Sequence, residues 1–399
     1  MITTIRKFLP FACAAALAAP LGAKPLKVYI LAGQSNMQGH AHERTLSVVG
    51  LDPKTAPMLK EIQNPDGTAK VHDKIWVSSI GSSESEKVGK LTVGFGPEKG
   101  GPKIGPELTF GIYMQKFVNE PIVIIKTAWG GKSIHTDFRS PSAGPFVFRE
   151  EEIENFKKQG KDVAKIKAER AQATGHYYRL MMEYVQKVLS DLKRVYPGYK
   201  ASDGYELAGF VWFQGWNDMV NRGVYPKRDQ PGGYDQYSEV LAHFIRDVRK
   251  DLKAPKMPFV IGVMGAGGAV AKYTPDKKRY AGIHQNFRNA MAAPAKLPEF
   301  QGNVAAVWTE NYWDDELEQL RYKDRQLQNE WKKTVAEKKL SRQEDRDGLE
   351  KLRAKEFDER ERKILKDGAS NAEYHYLGSA KVLGGIGKGF AEAVHELSK

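Results

Sequence analysis

Four short segments carry groups that together could attack an ester. Gly33-Gln34-Ser35-Asn36-Met37 directly follows a β-forming run. A serine at such a strand-to-loop turn presents its hydroxyl above the carboxyl edge of a sheet, where nucleophilic serines of α/β hydrolases sit. That hydroxyl attacks a carbonyl only when a base removes its proton, and the charge that develops needs hydrogen-bond donors. Donors are at hand in Trp212-Phe213-Gln214-Gly215-Trp216-Asn217-Asp218, where Gln214 and Asn217 carry amides, and in the glycine turn Trp129-Gly130-Gly131. Taken singly, each segment is equally well explained by amides that cap loops and glycines that permit positive φ. Of nine histidines, His375 stands out. It lies in Asn371-Ala372-Glu373-Tyr374-His375-Tyr376, immediately before a final helical pattern, so a loop at the sheet's C-terminal end could return it to Ser35. His40 and His42 are candidates for substrate contact or for solvated loop positions.

The elements that must position these segments are legible as short apolar runs. Lys27 to Ala32, Ile122 to Ala128, Gly209 to Phe213, Phe259 to Met264 and Val304 to Thr309 are nearly continuously apolar, as strands buried on both faces of a parallel sheet should be. Helical periodicity separates them, near Glu107 to Val118, His176 to Val195, Tyr234 to Leu252 and His284 to Ala292, with a last helix from about Ser379 to Leu397. The alternation predicts a three-layer α/β/α sandwich with a central parallel sheet and its chemistry in loops at the strands' carboxyl ends. Val88 to Gly105 is glycine-rich and reads as a loop. Two densely charged stretches, about 149–170 and 314–366, break the rhythm. They read as helical insertions in one domain spanning 24–399, the second a hairpin broken near Asp347-Gly348, and serve either as solvated surface or as a cap on the substrate groove.

Composition narrows the class. The chain has 399 residues, 41% apolar and 28% charged, which suits a globular protein with a substantial core. A single cysteine excludes a disulfide framework and a thiolate zinc site, and H-E-x-x-H is absent, so no metal and no cofactor are expected. Gly131-Lys132-Ser133 imitates the tail of a phosphate-binding loop, but Lys126 occupies the position where that motif needs a glycine. Arg6 and Lys7, the uncharged run Phe8 to Ala19 and Ala16-Leu17-Ala18 read as a secretory signal peptide over residues 1–18, cleaved to give a periplasmic or secreted protein without stable membrane insertion. The formal charge of +13 suits acidic partners such as uronic-acid or sulfated glycans, whereas acids interleaved with the bases and the lack of a nucleic-acid motif argue against nucleic acid.

Taken together, the segments resemble the SGNH hydrolases, in the branch that holds sialate O-acetylesterases and related carbohydrate acetylesterases. Gly-Gln-Ser-Asn-Met is similar to the nucleophile block, Ala128-Trp129-Gly130-Gly131-Lys132-Ser133-Ile134 to the glycine block, Gly215-Trp216-Asn217-Asp218 to the G-x-N-D block, and His375-Tyr376 before a glycine-rich helix to the histidine block. The resemblance implies a flavodoxin-like SGNH fold and an acetylated carbohydrate as substrate. It makes Ser35 the nucleophile and His375 the base. The oxyanion hole it implies is built from the Ser35 N–H, an N–H at Gly130 or Gly131, and the amide of Asn217, shared with or replaced by Gln214. The pattern breaks at the third triad member, because the family's Asp three residues before the histidine is Ala372 here. Glu373 is the nearest carboxylate and, in an extended loop, shares a face with the imidazole. Asp314, a backbone carbonyl or no acid are the alternatives. Trp129 and Trp216 are candidates for stacking on sugar rings, and Trp212 for stacking or core. The resulting expectation is an exported serine esterase that releases acetate from glycans. The alternative is a glycan-binding protein without catalysis on the same fold. A lipase is disfavoured because no long apolar run flanks the site.

Overall fold

The computed structural model describes residues 24–399; the expected signal peptide, with Cys13, lies outside the described residues. Seven strands form one sheet: β1 (Leu26–Gly33), β2 (His72–Gly81), β3 (Lys87–Leu91), β4 (Ile122–Ala128), β5 (Tyr205–Phe213), β6 (Phe259–Val263) and β7 (Val304–Trp308). Their order is β3-β2-β4-β1-β5-β6-β7. All neighbours pair in parallel except β3, which runs antiparallel to β2 along one edge. The longer helices are α1 (Glu107–Val118), α2 (Glu150–Lys158), α3 (Val163–Ala173), α4 (His176–Ser190), α5 (Asp235–Asp251), α6 (Ala281–Ala292), α7 (Asp315–Lys338), α8 (Arg342–Glu356), α9 (Glu359–Asp367) and α10 (Ala380–Leu397).

Alternation along the strands divides the core. Val28, Ile30 and Ala32 of β1 face a cluster completed by α4, α5 and α6, while Tyr29 and Leu31 face one completed by α1 and α10. The three layers are those expected from the sequence. Two details differ. The sequence does not mark β2 and β3, and Val88 to Leu91 of β3 lie in the stretch whose glycines suggest a loop, because all of its residues but Leu91 are exposed or half-buried and it lacks a continuous apolar run. The second insertion turns at residues 339–341, and α8 runs through Gly348 without a break. Gly348 instead lets an indole pack: a Cβ there would lie 2.2 Å from the Trp331 ring, whose Nε1–H donates to Asp345 Oδ1 at 2.8 Å. The roots of this insertion are not solvated surface, since Leu317, Leu320, Phe357 and Ile364 join the second core cluster.

One charged residue interrupts the apolar strand β4. Lys126, 1% exposed, donates to the carbonyls of Gln38 (2.8 Å) and Phe95 (3.0 Å) and to Glu107 Oε2 (2.7 Å) at the start of α1. Glu107, fully buried, also accepts the Gly105 N–H at 2.9 Å. Burial pushes the Lys126 ammonium below its ordinary pKa and Glu107 opposes that shift. The pair ties the turn after β1 to the sheet and to α1. Removing one partner of such a pair strands a buried charge at a cost of about 3–5 kcal/mol. Lys126→Met is therefore expected to lose about that much stability in urea titrations, and Lys126→Met/Glu107→Gln to be more stable than Lys126→Met alone. Equal midpoints for Lys126→Met and the parent protein would remove the pair from this role.

Candidate active site

β1 ends at Gly33, where a Cβ would lie 2.1 Å from the Phe213 carbonyl oxygen. Only glycine lets the end of β1 approach the end of β5 so closely, and the Gln34 N–H then donates to that same oxygen at 3.3 Å. Gln34 is extended, and Ser35–Gln38 makes a single helical turn. Ser35 thus stands at the sheet's carboxyl edge beside the glycine turn after β4: a Cβ on Gly130 would be 3.8 Å from the Ser35 Cβ. Gly131 has φ +76°, a left-handed conformation that glycine adopts without strain.

His375 arrives from the opposite end of the chain and is fixed by its neighbours. The Asn36 Nδ2 donates to the Tyr374 carbonyl at 3.1 Å, joining the serine turn to the histidine turn. Ser370 Oγ accepts the His42 N–H at 3.0 Å and donates to the Gly378 carbonyl at 2.7 Å. Tyr376, fully buried, accepts the Gly265 N–H on its hydroxyl at 2.7 Å and meets Thr309 Oγ1 at 2.6 Å. Tyr376, Leu377 and Gly378 all have positive φ, +52°, +60° and +54°. For the two residues with side chains this costs about 1–2 kcal/mol each, which the buried Tyr376 bonds and the packing of Leu377 offset.

Ser35, Gly130, Gly131, Trp216, Asn217 and His375 line one cavity of about 580 Å³. Glu373, Asp314, Gln214, Trp129 and Trp212 fall outside it. The Glu373 carboxylate points to Lys277, at 2.8 Å, and the imidazole takes a different partner: His375 Nδ1 lies 3.0 Å from Asn371 Oδ1. That oxygen also accepts the Ala372 N–H at 2.8 Å, so it is an acceptor, Nδ1 carries the proton, and Nε2 keeps its lone pair. Asp314 caps α7 through the Leu317 N–H and pairs with Lys381 at 3.2 Å. Gln214 is 2% exposed and its amide hydrogens are spent on the Lys132 carbonyl (3.0 Å) and Asp218 Oδ2 (2.5 Å). Trp129 is buried against Phe138 and Tyr177, and Trp212 against Phe138 and Phe244, so both indoles are core. A separate cavity of about 700 Å³ among the charged helices of the second insertion contains none of these segments.

Several residues of the site escaped sequence reasoning. Asn371 lies within the histidine segment, but a side-chain amide is not among the partners that the sequence suggests for the imidazole. Asp218, fully buried, accepts the Ile134 N–H (2.9 Å), the His135 N–H (3.2 Å) and Gln214 Nε2, and meets His135 Nδ1 at 2.8 Å, so it fastens the loop after β4 to the loop after β5. Ser82, at the end of the unforeseen β2, accepts the Gly130 N–H at 3.0 Å and donates to Gln38 Oε1 at 3.2 Å. His40, one of the histidines that the sequence offers for substrate contact, lines the cavity and stacks on His375 with ring centroids 4.1 Å apart and planes 2° from parallel.

The chain matches the model of a family described as carbohydrate esterase, sialic acid-specific acetylesterase, over residues 25–292. It belongs to that family. It is thus a carbohydrate O-acetylesterase by family. No curated protein matches it in sequence. Similar solved structures include a protein from Arabidopsis thaliana (16% identity, TM-score 0.35, covering 71% of this chain and 86% of that one). NanS is similar at 15% identity and TM-score 0.37, covering 72% and 78%. XAC1771, a carbohydrate acetylesterase from Xanthomonas citri, is similar at 13% and 0.40; 72% of this chain is covered but only 51% of the other.

Burial holds His375, His40 and His284 neutral at pH 7. His375 is pushed down to about 4 by desolvation, and His40 to about 3 by desolvation and the charges of His375, Lys103 and Lys126. His284, bonded to the Tyr273 hydroxyl at 2.6 Å, is lowered to about 4 by burial and then by Arg288, Lys277 and Arg228. Unfolded, each titrates near 6.5. Between about pH 6.5 and 4 the unfolded chain binds more protons at these three rings, so their contribution to stability is complete above 6.5 and is lost as pH falls toward 4. Urea midpoints are expected to drop between pH 7 and 4.5, less steeply in a His284→Gln variant; identical slopes would exclude His284 from this linkage.

Proposed function

We propose that this esterase is exported and releases acetate from glycan hydroxyls through an acyl-enzyme on Ser35. The observation that carries the reading is the shared cavity of Ser35 and His375, with the imidazole held by Asn371 in the tautomer that leaves Nε2 a base. The serine Oγ bonds to the ester carbonyl carbon while its proton passes to Nε2. The oxyanion takes hydrogen bonds from the Ser35 N–H, the Gly130 N–H and the Asn217 amide, displacing the Ser82 hydroxyl that now meets Gly130. Collapse breaks the bond to the sugar oxygen, which leaves with the proton from Nε2. Water, deprotonated by the same nitrogen, then cleaves the acyl-serine and frees acetate. Gln214 has no hydrogen to spare for this work. The glycan is acidic in this reading, because Lys99 and Lys103 line the cavity and neither has a carboxylate partner among the described residues. Export rests on the N-terminal segment; among the described residues no helix is long and apolar enough to cross a membrane.

Ser35→Ala is expected to lower kcat for 4-nitrophenyl acetate by about 10⁴–10⁶-fold and to abolish labelling by a fluorophosphonate. Comparable turnover by the variant would reject Ser35. The acid limb of kcat/KM is expected near pH 4, where His375 takes up its proton. Asn371→Asp, which sets an anion beside Nδ1, should move that limb upward by a pH unit or more. A limb that stays in place would detach His375 and Asn371 from the proton transfer.

A further inference from the structure

The cavity that holds Ser35 does not end at the ester site. On one side Gly131 and Asn217 also line a second cavity of about 440 Å³, whose far wall is α3 with Ile166, Glu169 and Arg170. Arg170 is held in place there: its guanidinium lies 4.7 Å from the Phe146 ring centre and donates to Thr136 Oγ1 at 2.8 Å. On the other side Trp216 and Tyr374 also line a third cavity of about 620 Å³. Their rings meet at 5.6 Å between centroids, so the pair stands at the junction of the two spaces. Beyond it lie Tyr280, 40% exposed, and Arg222, Arg228 and Arg279, none of which pairs with a carboxylate among the described residues.

The site is thus the middle of a three-part groove, hydrogen-bonding on one flank and aromatic and cationic on the other. A single acetylated sugar fills only the centre. The flanks present what successive sugar rings require, polar partners for hydroxyls and aromatic faces for ring C–H surfaces. We infer that the esterase acts on acetylated units inside an oligosaccharide chain, with at least one further sugar bound in the α3 cavity and another against Trp216, Tyr374 and Tyr280. This rests on the proposed Ser35 chemistry and assigns the first charged insertion, through α3, to substrate binding.

The test is kcat/KM for acetate release from two chemically O-acetylated series, galacturonan and xylan oligomers of one to six units, with 4-nitrophenyl acetate as the separate check on Ser35 chemistry. For the better series kcat/KM is expected to rise at least tenfold from monomer to hexamer. Tyr280→Ala and Glu169→Ala should each cut the hexamer-to-monomer ratio by threefold or more. Active hydrolysis of 4-nitrophenyl acetate with a flat chain-length profile, with no turnover of either series, or with a ratio unmoved by both substitutions would overturn the groove while leaving the ester chemistry standing. Loss of 4-nitrophenyl acetate hydrolysis itself would instead strike the Ser35 reading.

Discussion

The buried ammonium of Lys126 is the interaction on which the arrangement depends. It sits inside the interior strand β4 and reaches three oxygens: Gln38 at the end of the serine turn, Phe95 in the segment after β3, and Glu107 at the start of α1. No apolar side chain could satisfy the Gln38 and Phe95 carbonyls at once, and an unsatisfied buried carbonyl is costly. A charge without Glu107 would be costlier still. The strand therefore carries its own bracket for the loop that presents Ser35, and the bracket works because all its polar atoms have partners.

The histidine side is built on the opposite principle. There a strained backbone, with consecutive positive φ values from Tyr376 to Gly378, is held by a buried phenol whose hydroxyl reaches the loops after β6 and β7. The serine turn is anchored from below by electrostatics and the histidine turn from behind by packing. Asn36 is the direct stitch between them, and the His40 ring stacked on His375 limits how far the imidazole can turn.

Much of this was readable in the residues. The apolar runs of β1, β4, β5, β6 and β7 mark strands covered on both faces, and the turns following β1, β4 and β5 hold the serine, glycine and amide segments. β3 is hidden because an exposed edge strand lacks that signature, and β2 because Ser78 and Ser79 interrupt its apolar run, and with β2 went Ser82. The imidazole's partner was misjudged for a different reason. Glu373 is the carboxylate nearest in sequence, but the tight turn at Glu373–Gly378 sends it outward to Lys277 and brings the Asn371 oxygen back to the ring's Nδ1. Lys126 left a visible trace, a lone cation in an otherwise apolar strand, whose meaning needed its three acceptors to be seen. Trp129 and Gln214 show the reverse error: both stand beside residues that line the cavity, yet their side chains turn into the interior.

Asp218 gathers donors from the glycine loop and from the loop carrying Asn217, so the two loops that flank the proposed oxyanion position are riveted from underneath. Their spacing is a fixed gauge rather than an adjustable jaw. Exchanging residues at the cavity's mouth can alter which alcohol portion is accommodated, but enlarging the opening for a bulkier acyl group demands that the rivet itself be replaced.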